Sequence, residues 1–114
     1  MAPASRPLLS VLGVALLVVA GCVVCRLPEE AFEAVLRTNL GAIRDAIHGY
    51  ERDGGCLRDL AQLVAEGYLR QLPVDPFAEN RSVWYSVRDD GGCICDVRST
   101  SNETAEDGTR YRDW

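Results

Sequence analysis

Residues 8 to 24, LLSVLGVALLVVAGCVV, carry no charge and are almost wholly apolar. A run of this length lies at the lower limit for crossing a bilayer, which takes ~20 residues as a helix, and exceeds the usual apolar region of a cleaved signal. In a chain of 114 residues the remainder could not cover such a helix on every side. The run therefore predicts a membrane anchor over 1–27 and an extracytoplasmic domain over 28–114. Only the amino terminus and Arg6 precede it as charges, and this favours a cytoplasmic amino end with the rest translocated. The residues beyond the anchor have room for one small domain. A formal net charge of −5 and a pI near 4.8 argue against a nucleic-acid partner, because phosphate binding needs a basic surface.

Translocation makes the cysteines informative. Cys22 and Cys25 lie at the end of the apolar run, and Cys56, Cys93 and Cys95 lie in the domain. In an oxidising compartment the last three can form at most one internal bridge. Cys93 and Cys95 would share one side of a strand, where they are poorly placed to bond each other. Cys56 with either of them is the expected pair. The phrase VAGC, Val19 to Cys22, fits a lipobox, so diacylation of Cys22 stands beside a spanning signal anchor as the means of attachment.

Beyond the anchor, Phe32, Val35, Leu36, Leu40, Ile43, Ile47 and Tyr50 recur at spacings of three and four. That is the stripe of an amphipathic helix, and Gly54 and Gly55 end it. CLRDLAQLVAEGYL, from Cys56, reads as a shorter helix with Leu57, Leu60, Leu63 and Val64 buried and Gly67 closing it. In LPVDPF, Pro73 and Pro76 hold the residues before them extended, so a stiff strap leaves that helix. SVWYSVRDDGGCICDVRS alternates around DDGG, a tight-turn sequence, and predicts a hairpin over 83 to 97. A turn centred on Asp90-Gly91 would pair Val87 with Ile94, Ser86 with Cys95 and Trp84 with Val97. The tail is polar and ends in aromatics. Helices thus precede a small antiparallel sheet, an α+β arrangement with the long helix packed on the hairpin.

Three of these phrases, in this order, resemble the major pseudopilins of type II secretion. LRTNLGAIRDAIHGYERDGG resembles the second half of the family's helix. LAQLVAEGYLRQLPVDPF resembles its Gly-Tyr-Leu helix end and Pro-x-Asp-Pro strap, and VWYSV…DVRS…DGTRYRDW its closing hairpin, Asp-Val-x-Ser turn and aromatic end. The resemblance runs from about Ala34 to Trp114 and implies a pilin-like fold, a long N-terminal helix packed on a small sheet. The chain departs from the family before that point. MAPASRPLLSVLG offers no prepilin cleavage site, and no glutamate precedes Glu29.

What the resemblance implies is a structural or accessory subunit of a type II secretion or type IV pilus-like machine. Such a subunit sits in the bacterial inner membrane as a single-pass protein with its domain in the periplasm. Its partners are other pseudopilins or secretion-machinery subunits, with homo-oligomers among them. The rival expectation is a lipid-anchored periplasmic interaction protein that keeps this body without polymerising. Family positions corresponding to Cys56 and Cys95 are aromatic and pack together, which implies a Cys56–Cys95 bridge here, with Cys93 as the alternative. Related proteins hold calcium in the loop before the C-terminus. This chain offers Glu103, Glu106, Asp107 and Asp113 with Asp96 nearby, and Asp96 and Asp107 are the first choices as ligands. The serines have no histidine near them in sequence and there is no glycine-rich phosphate loop, which argues against an enzyme.

Overall fold

Helix α1 spans Glu29–Arg52 in the computed structural model, which describes residues 28–114. Pro28 stands just before its first turn with extended backbone, and Glu29 and Glu30 place negative charge where the helix dipole favours it. Leu36, Leu40, Ile43, Ala46, Ile47 and Tyr50 form the buried stripe. Each large member of that stripe contributes ~1.5–3 kcal/mol by leaving water. Phe32 and Val35, expected in the stripe, are 40 % and 43 % exposed, because the core begins only at Leu36. Gly54 ends the helix at φ +83°, a conformation in which a Cβ would be strained, while the Gly55 amide donates back to the Tyr50 carbonyl.

The second helix is shorter than its periodicity predicts. Helix α2 covers only Ala61–Ala65, although Leu57, Leu60 and Leu63 are buried as expected. Residues 56 and 57 are drawn away to the hairpin: Cys56 is bonded to Cys93, and the Leu57 carbonyl accepts from the Ile94 amide at 2.6 Å. Gln62 Oε1 then takes the amides of Arg58 and Asp59, and Asp59 Oδ1 takes that of Ala61, which starts the helix late. Past its end, the amides of Tyr68 and Leu69 both return to the Leu63 carbonyl.

Strands β1 (Tyr85–Arg88) and β2 (Ile94–Arg98) pair antiparallel. Their register differs from the expected one. Tyr85 faces Arg98, Ser86 faces Val97 and Val87 faces Asp96, and then the register shifts so that Arg88 faces Ile94. Two observations explain the change. The connection is longer than a two-residue turn: Gly92, at φ +79°, donates to the Asp89 carbonyl, and the Asp89 amide donates to the Cys93 carbonyl. The shift also leaves Cys95 with no residue opposite, as a bulge. Ile94 and Val97, three apart, would fall on opposite faces of a regular strand, yet both are buried in the one core. The bulge makes that compatible.

Helix α1 packs on β2 and on α2, and the shared core adds Trp84, Ala105 and Tyr111. A short 3₁₀ helix, Tyr111–Asp113, closes the described chain. The α+β class follows from the sequence pattern as expected, with one long helix over a two-stranded sheet.

Candidate functional site

The strap between Pro73 and Phe77 is held by α1, by the residue before β1 and by the loop after β2. Its carbonyls are claimed by side chains from two directions: Trp84 Nε1 donates to Pro73 at 2.7 Å, and Asn39 Nδ2 on α1 donates to Val74 at 2.7 Å. Asp75 is fully buried. Its amide donates to the Arg81 carbonyl, its Oδ1 accepts from the Phe77 amide, and its Oδ2 accepts from Ser99 Oγ at 2.5 Å. Ser99 Oγ in turn receives the Ser101 amide, and Ser101 Oγ that of Glu103. A buried carboxylate is tolerable only when satisfied in this way. Sequence reasoning misses Asp75 as a site residue, although an Asp two residues before a free amide is the signal of a side-chain-closed turn.

The C-terminal segment folds onto the first half of α1. Residues 104 to 110 form a small hairpin, with Thr104 bridged to Arg110 and the Ala105 amide donating to the Thr109 carbonyl. Buried Tyr111 stacks on Phe77 at 3.9 Å between ring centroids and meets Trp114 edge-on. Its hydroxyl donates to Glu33 Oε1 at 2.9 Å, and burial together with that carboxylate raises its pKa. Arg37 lies over the Trp114 ring at 4.0 Å, a cation–π contact.

The sequence-predicted calcium ligands have other partners. Asp96 Oδ1 accepts from Arg44 Nε at 2.8 Å and from the Val97 amide. Arg44 also reaches the main-chain oxygens of Val97 and Trp114, so it pins the strand and the tail to α1. Asp107 Oδ1 accepts from the Thr109 amide and hydroxyl, and those bonds hold its pKa below the usual carboxylate range. Asp107 shares with Arg37, Arg44 and Arg110 the lining of an open cleft of about 730 Å³. Glu106 lies on the other side of this turn, beside Glu30, whose hydrogen bond and charge raise the Glu106 pKa. Glu103 hangs on Ser101 through its amide, and Asp113 offers its carbonyl to Arg98. Among the described residues no group of three or more histidine, cysteine or acidic side chains is arranged to hold a metal ion.

Cys56 is bonded to Cys93, with 5.1 Å between Cα atoms, and not to Cys95, which corrects the first expectation in favour of its alternative. The Leu57–Ile94 hydrogen bond sets residue 56 beside residue 93, while the bulge takes residue 95 out of the ladder. Cys95 is a free, half-buried thiol against the Val87 carbonyl. His48 is exposed on α1.

The expected anchor over 1–27, and Cys22 with it, lies outside the described residues. Among the described residues no helix is long and apolar enough to cross a membrane. Comparison with protein-family models, with curated proteins and with solved structures finds no match.

Proposed function

We propose that the chain is a pseudopilin-like structural or accessory subunit of a type II secretion or type IV pilus-like machine, supporting protein export without catalysis of its own. In this proposal residues 1–27 hold it in the bacterial inner membrane, and its domain works in the periplasm alongside copies of itself or other subunits. One observation carries the proposal. Two of the phrases that resemble the family, Pro73–Pro76 and Asp96–Ser99, lie far apart in sequence and are joined by the buried Asp75–Ser99 hydrogen bond. A chance likeness of separate short patterns gives no reason for their polar residues to meet. The long helix lying over the hairpin supports the same reading, since it leaves the helix's first turns directly after the apolar run.

The test uses the full chain in bacterial membranes, with Cys25→Ser and a cysteine introduced at Leu16. Disulfide adducts between copies through residue 16, identified by peptide mapping, are expected of a subunit that assembles through its amino-terminal helix. Absence of such adducts, with a diacylated Cys22 as the mature amino terminus, would move the protein to a solitary lipid-anchored role.

A further inference from the structure

Two surfaces of the domain are apolar, exposed and unlike in charge. On the first, Phe32, Val35 and Val74 are 40 %, 43 % and 48 % exposed. They form one patch: Phe32 meets Phe77 edge-on, and Asn39, one turn beyond Val35, holds the Val74 carbonyl. Glu29, one turn before Phe32, edges it in the first turn of α1, while Glu30 lies round the helix beside Glu106. The second surface is a groove of about 710 Å³ between α2 and β1, floored by Leu60, Val64, Leu72 and Trp84, with Arg58 and Arg88 along it. The carbonyls of Gly92 and Arg58 hold the Arg88 guanidinium in place. Asp59, the only carboxylate on the lining, turns to the Ala61 amide. Among the described residues Arg44–Asp96 is the only ion pair, so the arginines of the groove and Glu29 at the patch have no oppositely charged partner within the domain.

We propose that the patch of one copy docks in the groove of the next. The inference rests on the proposed function, in which copies assemble, and adds the surface by which they do so. Charge selects the arrangement. Patch against patch would set Glu29 against its own counterpart, whereas patch against groove sets it against arginines. A lipid surface is a poor occupant for a patch edged by Glu29, since the membrane surface is itself negative. Tethering through residues 8 to 24 would confine copies to one plane and raise their effective concentration, so a modest contact suffices. A contact between unlike surfaces extends as an open stack unless its rotation closes a ring.

The full chain, keeping Cys22 and the Cys56–Cys93 bridge and with Cys25 and Cys95 as serine, tests the contact. Val35→Cys and Val64→Cys are placed on separately tagged copies, oxidised in membranes and mapped by mass spectrometry. Mixed 35–64 adducts are expected to exceed 35–35 adducts. Arg58→Glu with Arg88→Glu on the groove copy should lower the mixed adduct roughly tenfold or more. Glu29→Arg on the patch copy should restore it, and this rescue separates docking from a simple failure to fold. Predominant 35–35 adducts, or a mixed adduct indifferent to charge, would overturn the contact while crosslinks through residue 16 left the assembly reading standing. No adduct at either place would overturn both.

Discussion

Asp75 shows how much one side chain can hold. It is fully buried and serves the strap, the residues beyond it and the loop after β2 through three hydrogen-bonding atoms. Asp75→Ala leaves Ser99 and the Phe77 amide without their acceptor, and a cost of roughly 3 kcal/mol is expected in urea unfolding. Asp75→Asn keeps the shape and one of the two acceptor oxygens, and should cost about half as much. A cost below ~0.5 kcal/mol for the alanine would show that the network is ornamental. Tyr68 and Tyr111, with Tyr50 raised in the same direction by Glu66, give the domain a pH dependence whose sign follows from their partners. The hydrogen bond to Asp53 pushes the Tyr68 pKa up to about 12, and burial beside Glu33 raises that of Tyr111. Both folded-state values lie above the unfolded one, so their stabilisation is complete below pH ~10 and declines as pH rises through the folded values. Unfolding free energy should fall above pH ~10, and Tyr68→Phe with Tyr111→Phe should flatten that fall. A slope unchanged in the double variant would exclude these residues as its cause.

Among the elements, the disulfide has the clearest consequence. It closes a loop across a sequence separation of 37 between the start of the α2 segment and the hairpin connection. Chain-entropy reasoning gives about 3–4 kcal/mol for a loop of that length, so Cys56→Ser or Cys93→Ser should lower stability by that order. Cys95→Ser, outside the ladder, should change it by less than ~1 kcal/mol. The reverse ranking would place the bridge at Cys95. These elements also show what could be read from the sequence. Helix α1 and its glycine stop follow from a long three-and-four periodicity, and the hairpin follows from alternation around DDGG. The register and the bridging cysteine do not, because both depend on a bulge at Cys95 that only the core demands. Ile94 and Val97 must both be buried, and local pattern alone cannot say so. The late start of α2 has the same origin: the Leu57–Ile94 hydrogen bond and the disulfide override a helical pattern already under way. Asp96 and Asp107 could be picked out as acidic residues of the last third, but the guanidinium and hydroxyl they serve could not.

At the scale of the molecule, α1 is the spine to which each later segment returns. Asn39 takes the strap, Arg44 takes β2 and the tail, and Glu33 takes Tyr111 and the Glu106 amide. The apolar core covers the helix only from Leu36 to Tyr50, so its first turns are attached by Glu33 and by the edge-on contact of Phe32 with Phe77. Stability along α1 should therefore be uneven, because a helical turn with little buried apolar surface opens locally at low cost. In hydrogen exchange, amides between Leu40 and Tyr50 should open only with global unfolding. Those before Glu33 should exchange on the order of a hundredfold faster or more. Tyr111→Phe removes the hydroxyl that holds Glu33 and keeps the ring on Phe77, so it should extend fast exchange toward Leu36 and leave the rest of the helix slow. Uniform protection from residue 30 onward, unchanged in Tyr111→Phe, would mean that α1 holds its first turns without help from the tail. If the tail is what fastens them, its grip also sets how firmly the Phe32 and Val35 surface is presented to a neighbour.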